Sequence, residues 1–153
     1  MSASPANSPQ SSADPLALPA HVRRGGGALW LAILAGGALG TLARFALAEA
    51  LPAPGADWHW ATLIANVIGA AALGVILVRL PNPANTPSRL RAFLATGVCG
   101  GLTTFSTMQR ELLVMIDDGH GALALSYAAV SIVAGLLAVL VTVRLSQRGR
   151  SGR

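Results

Sequence analysis

Few side chains in this sequence can do acid–base, nucleophilic or metal chemistry, and they do not form a set. His21, His59 and His120 fall in a tail or in linkers and share no helical face. Asp117 and Asp118 stand beside Gly119, the pattern of a solvated helix end. Cys99 is the one cysteine, so neither an internal disulfide nor a Cys-based metal cluster can form. The GGALG run at Gly36–Gly40 has the glycines of a nucleotide loop, but no strand precedes it; Gly36-xxx-Gly40 reads instead as a helix-packing face. What remains is hydrogen-bond donation by uncharged groups. Asn66 follows Thr62 by one helical turn on the same face, and Tyr127 and Ser131 are spaced alike, with Gly135 next on their line. Thr103, Thr104, Ser106 and Thr107 surround Phe105, whose ring has a positive edge that can face an anion. Hydroxyls and carboxamides donate without bringing fixed charge.

Those residues must be held by elements that suit the rest of the composition. The chain has 153 residues, which favours one domain. Hydrophobic residues make up 53% and charged residues 11%, against about 25% charged in a soluble domain. Mean hydropathy is +0.58. The net charge of +5 comes from 11 basic residues, all arginine, set between apolar runs. That placement is not the basic patch of a nucleic-acid binder. A soluble enzyme is excluded on the same composition. The partners expected are a lipid bilayer and a small solute, with no nucleic acid.

Residues 1–25 are rich in Ser, Pro and Ala and read as a disordered tail. Residues 26–146 form a transmembrane domain, and 147–153 a basic C-terminal tail. Four apolar segments lie between: Ala28 to Leu51, Trp60 to Val78, Ala92 to Gln109 and Ala122 to Val143. A bilayer core about 30 Å thick takes roughly 20 helical residues, so each segment is long enough to span. The expected fold is an all-α, multi-pass protein of the cell (inner) membrane, with both termini on one side.

The third segment is irregular. Gly97, Gly100 and Gly101 are followed by four hydroxyl residues around Phe105. Glycine costs about 1 kcal/mol against alanine in a helix, and lipid tolerates open backbone only where protein or an aqueous cavity covers it. Two readings stand: a helix broken in mid-membrane, or a continuous helix whose Gly97-xxx-Gly101 allows tight packing. Polar rows in lipid divide the same way, between a pathway and interhelical glue. Glue suffices for Thr62 alone, whereas Asn66 together with the hydroxyl cluster points to function.

The string GVCGGLTTFSTM at Gly97–Met108 resembles the GxCGGxTTFSTF signature of the Fluc, or CrcB-type, fluoride channels. GGALGTLARF at Gly36–Phe45 is similar to that family's first-helix pattern GGxxGAxxRY, and ATLIANVIGA at Ala61–Ala70 to its GTLxVNxxG. The resemblance covers roughly Gly36 to Leu145. It implies a channel that exports fluoride passively, lowering its level in the cell, and an antiparallel dual-topology dimer with two pores along the interface. It also implies a broken third helix whose carbonyls hold a structural sodium ion (Na+) at the dimer centre; at matching positions these are Gly100 and Thr103. The pore asparagine falls on Asn66, the first paired phenylalanine on Phe105, the first-helix arginine on Arg44, and the fourth-helix polar track on Tyr127 and Ser131. Thr104 and Thr107 lie within the signature, Glu111 matches an acidic residue one turn after it, and Thr62 shares the face of Asn66. Two positions depart from the pattern: Met108 stands where the second phenylalanine belongs, and Gly135 where the last hydroxyl of the track belongs.

Two other classes compete with the channel. A small four-helix proton-coupled multidrug exporter needs an acid deep in the membrane, whereas Glu49 and Glu111 are expected near helix ends. A non-transporting scaffold explains the small-residue faces but not a GGxTTFST break. Charge adds a constraint on assembly. With four spans, nine arginines lie on the side of the termini and only Arg44 and Arg110 on the other. The positive-inside rule then favours cytoplasmic termini. Either an antiparallel homodimer forms despite that bias, or the chain pairs with an oppositely oriented paralogue.

Overall fold

The computed structural model describes residues 20–80 and 89–151, with side chains over 26–80 and 89–149. The Ser/Pro-rich tail up to residue 19, most of the Pro-rich link after Leu80 and the last two residues lie outside that range. Among the described residues every regular element is helical. α1 (Ala20–Ala50), α2 (Trp60–Arg79) and α6 (Gly121–Ser151) are continuous. Each contains an apolar stretch long enough to cross a membrane: Gly26–Ala50, Trp60–Arg79 and Gly121–Gly149. α1 begins inside the expected tail because no proline or glycine interrupts Ala20–Arg24. α6 likewise continues through the start of the expected C-terminal tail.

The third segment is interrupted and does not form one continuous helix. A helical rod runs through α3 (Arg89–Arg91), a π-helix (Ala92–Cys99) and α4 (Gly100–Leu102). Thr103 (φ −77°, ψ 147°) and Thr104 (φ −147°, ψ 122°) are extended, and α5 (Phe105–Asp117) resumes the helix. Neither half alone has the roughly 20 residues needed to span. Widened π winding is rare and recurs at functional sites. α5 also runs well past Gln109, where the uncharged stretch ends. The reason is amphipathic periodicity: Met108, Glu111 and Met115 share the buried face. Glu111 therefore sits in mid-helix and not near a helix end as expected. α5 stops at Gly119 (φ 82°), where the Gly119 and His120 N–H groups bond back to Ile116 and Met115 at 3.0 and 2.7 Å.

Glycines set the contact between α1 and the rod. A Cβ on Gly97 would lie 2.8 Å from Gly36 Cα, and one on Gly40 would lie 2.7 Å from the Leu102 nitrogen. One on Gly101 would meet Gly37 Cα at 3.1 Å. Gly36-xxx-Gly40 and Gly97-xxx-Gly101 are thus two halves of one backbone-to-backbone seam. α2 lies along α6, with Gly74 against Thr142 and the Val139 carbonyl. A small core of Leu63, Met108, Met115, Ala124 and Tyr127 joins α2, α5 and α6. Large apolar side chains such as Leu31, Leu34, Leu125 and Ile132 face outward, as a lipid solvent permits.

The seam yields a matched test. Gly36→Ala should destabilise the fold by about 1–3 kcal/mol, the usual cost of overpacking. Gly37→Ala, one residue on and facing open space, should be neutral or slightly stabilising. Thermal unfolding of both variants in detergent measures the difference.

Candidate functional site

Breaking a helix frees backbone groups, and the side chains nearest the break take most of them up. Asn66 reaches across from α2 and accepts from the Thr104 N–H at 2.8 Å while its Nδ2 donates to the Thr104 carbonyl at 3.1 Å. One carboxamide thereby replaces the hydrogen bond that the Thr104 N–H lost by leaving the helix and adds a donor to its carbonyl. Thr104 caps α5: its Oγ1 accepts from the Thr107 N–H at 3.2 Å and pairs with Thr107 Oγ1 at 2.9 Å. On the other side, Arg44 Nε donates to the Gly101 carbonyl at 3.2 Å, setting a cation at a helix C-terminus. Thr103 turns both its N–H (3.0 Å) and its hydroxyl (2.9 Å) back to the Cys99 carbonyl.

The carbonyls of Gly100 and Thr103 fare differently. An unbroken helix would aim the Thr104 and Thr107 N–H groups at them, and both are engaged elsewhere, by Asn66 and by Thr104 Oγ1. Gly100 is exposed, with open space where a Cβ would stand. Two carbonyl acceptors at a helix end, one on a bare glycine, fit a hard cation better than a thiolate- or imidazole-seeking transition metal. Among the described residues no cluster of His, Cys, Asp and Glu could hold a metal.

A second group of residues converges on an anion. Thr62 Oγ1 donates to Glu111 Oε1 at 2.6 Å, and Tyr127 Oη donates to Oε2 at 2.8 Å. All three residues are buried. Short bonds from two hydroxyls thus partner both oxygens of one carboxylate. A cavity of about 320 Å³ opens beside this group, lined by Arg44, His59, Thr62, Thr107, Arg110 and Glu111 among others. Two guanidinium groups give it an attraction for anions.

The structure brings most of the sequence-derived residues together. Arg44, Thr62, Thr107 and Glu111 share the cavity wall; Asn66 and Thr104 brace the break behind it; Tyr127 holds Glu111 from α6. Ser131 is buried one turn beyond Tyr127. Phe105 points outward, 67% exposed, and Met108 lies in the core against α2 and α6. His59 and Arg110 line the cavity as well, and sequence reasoning passed over both. His59 precedes Thr62 by three residues, a spacing that only the start of α2 at Trp60 turns into proximity.

The double bond of Asn66 predicts a local effect. Asn66→Asp sets a carboxylate oxygen against the Thr104 carbonyl and removes a donor. Amide exchange of a peptide covering 102–107 should then rise about tenfold or more, the loss of roughly 1.4 kcal/mol of local protection. Thr62→Val should leave that peptide unchanged. Hydrogen–deuterium exchange by mass spectrometry reads both.

Comparison with known proteins identifies the family of the chain. Residues 31–143 match the family described as CrcB-like protein, Camphor Resistance (CrcB). The chain is 51% identical over 123 residues to "Fluoride-specific ion channel FluC 1" of Mycobacterium tuberculosis, covering 80% of this chain and 92% of that protein. It is 48% identical over 122 residues to the protein of that name in Mycolicibacterium paratuberculosis (80% and 92%). It is 38% identical over 123 residues to "Fluoride-specific ion channel FluC" of Pseudomonas fluorescens, covering 78% of this chain and 97% of that protein. With the match running from the first membrane-length helix, through the broken segment, into the last, this chain belongs to the CrcB-like family.

Proposed function

We propose that the chain is a subunit of a passive fluoride channel of the cell membrane and that it lowers intracellular fluoride. The observation that carries this reading is the buried carboxylate of Glu111 held by two neutral hydroxyls beside a cavity with two arginines. Fluoride is small and strongly hydrated, so a path must replace its water with donors and still release it. Neutral hydroxyls and a carboxamide meet that need, because entry is favourable and exit stays easy. Arg44 and Arg110 draw the anion into the cavity; Thr107, Thr62 and Tyr127 offer donors in turn, in competition with Glu111; Ser131 continues the track on α6. Asn66 keeps one N–H free beyond its bond to Thr104, and Phe105 presents its ring to the outside of the single chain.

The same reading places the break in mid-membrane at the contact of two oppositely oriented subunits. Exposure of Gly100 and Phe105 supports it, since a second copy would cover both. The Gly100 and Thr103 carbonyls would hold the sodium ion, the second copy contributing its own pair. Bound there, sodium supplies a fixed positive charge next to the path.

One observation favours a second form of the assembly. Among the described residues, Arg79, Arg89, Arg91, Arg144 and Arg148 gather at one end. The loops at the other end hold Asp57 and Asp118 and no arginine, because Arg44 and Arg110 sit within α1 and α5. Such asymmetry favours a single orientation, and hence a partner chain inserted the other way.

Fluoride efflux from liposomes containing the purified chain tests the function. The wild type should release fluoride without a proton gradient, whereas Asn66→Asp and Phe105→Ile should each lower flux at least tenfold with assembly intact. Wild-type flux in both variants would remove these residues from the path.

Subunit orientation is read by labelling His120→Cys in cells, since the native Cys99 is buried and silent. Labelling from both sides supports the homodimer. Labelling from outside only, with no flux from the purified chain, points to a missing partner.

A further inference from the structure

Three buried polar atoms make no hydrogen bond among the described residues: Trp58 Nε1, His59 Nδ1 and Ser131 Oγ. Buried polar atoms in native proteins are nearly always partnered, so each such exception calls for an explanation. These three are not scattered. The Trp58 ring stands edge-on to Tyr127 at 5.3 Å and 82°, and the His59 ring lies 6.2 Å from Tyr127. Ser131 follows Tyr127 by one turn on the same helical face. The unsatisfied groups therefore flank one side chain, the one whose hydroxyl holds the Glu111 carboxylate.

Their chemistry is one-sided. An indole N–H can only donate, a serine hydroxyl can donate, and a histidine nitrogen donates or accepts according to its partner. Trp58 therefore requires an acceptor, and an acceptor also suits the other two. It must also be small, because Trp58 packs against the core that includes Tyr127. His59 connects this place to the cavity that contains Arg44 and Arg110, which favours a negative occupant over a neutral one.

We infer that Trp58, with His59, forms a further fluoride-binding station beside Tyr127, in which the Trp58 indole N–H donates directly to the anion. The station rests on the channel reading above and extends it from the helices into the loop before α2. Its role is to take the ion from Tyr127 and pass it toward the cavity mouth.

The indole itself reports on occupancy. The chain has three tryptophans, so a proton–nitrogen correlation spectrum of the detergent-solubilised protein should show three indole N–H signals. Trp58→Phe, or Trp30→Phe and Trp60→Phe by elimination, identifies the signal of Trp58. That signal should move on titration with sodium fluoride and stay still with sodium chloride at equal ionic strength. Liposome flux through Trp58→Phe, which keeps a ring but removes the donor, should fall about tenfold, the weight of one hydrogen bond to a charged group. A conducting wild type whose Trp58 signal ignores fluoride would overturn the station alone and leave water as the occupant. A wild type that conducts no fluoride at all would overturn the channel reading with it. Should Trp58→Phe fail to fold, the wild-type titration still decides.

Discussion

Everything near the centre of this protein follows from one shortage: lipid supplies no hydrogen bonds. A helix interrupted at Thr103 and Thr104 leaves backbone groups that water would satisfy in a soluble protein. Here Asn66 closes both groups of Thr104, Thr104 caps the helix that follows, and Arg44 takes the Gly101 carbonyl. Each of these residues is polar in a chain with little polarity to spare. Their presence in apolar segments is explained first by the break and only then by any solute.

Because the break is braced from outside, its own residues are free for other work. Thr107 and Glu111 sit one turn apart on α5 and reach the same cavity. The Thr62–Glu111–Tyr127 group then shows how an anion is tolerated at such depth. Two hydroxyls serve one carboxylate, and among the described residues no arginine or histidine forms an ion pair with it. A fixed cation in that position would hold a permeating anion too tightly for conduction. The arginines instead stand at the cavity wall, where in the function proposed above they attract an anion without closing its path.

Packing of α1 on the broken segment is achieved with glycine. Without a hydrophobic drive between helices in lipid, close backbone approach supplies the attraction, and Gly36, Gly40, Gly97 and Gly101 permit it. The same absence of side chains leaves Gly100 bare on the open side of the break. Packing on one face and vacancy on the other thus come from a single glycine-rich string.

Much of this was legible in the sequence because it depends on local pattern. Long uncharged runs dictate membrane-length helices, one-turn spacing pairs Thr62 with Asn66 and Tyr127 with Ser131, and a Gly/Thr-rich run weakens a helix without deciding between a break and tight packing. Other features depend on which elements meet, and no local pattern carries that. Charge-counting ended the third segment at Gln109, yet burial of Met108, Glu111 and Met115 against α2 and α6 extends α5 to Asp117. Glu111 thereby moved from an apparent helix end to the centre of a buried group. Asn66 looked like a free donor and is instead half committed to the backbone of Thr104. His59 and Trp58 read as linker residues until the fold laid that linker against Tyr127. Residue type and spacing determine what a side chain can do; the company it keeps, and so what it does, is decided only when distant segments pack.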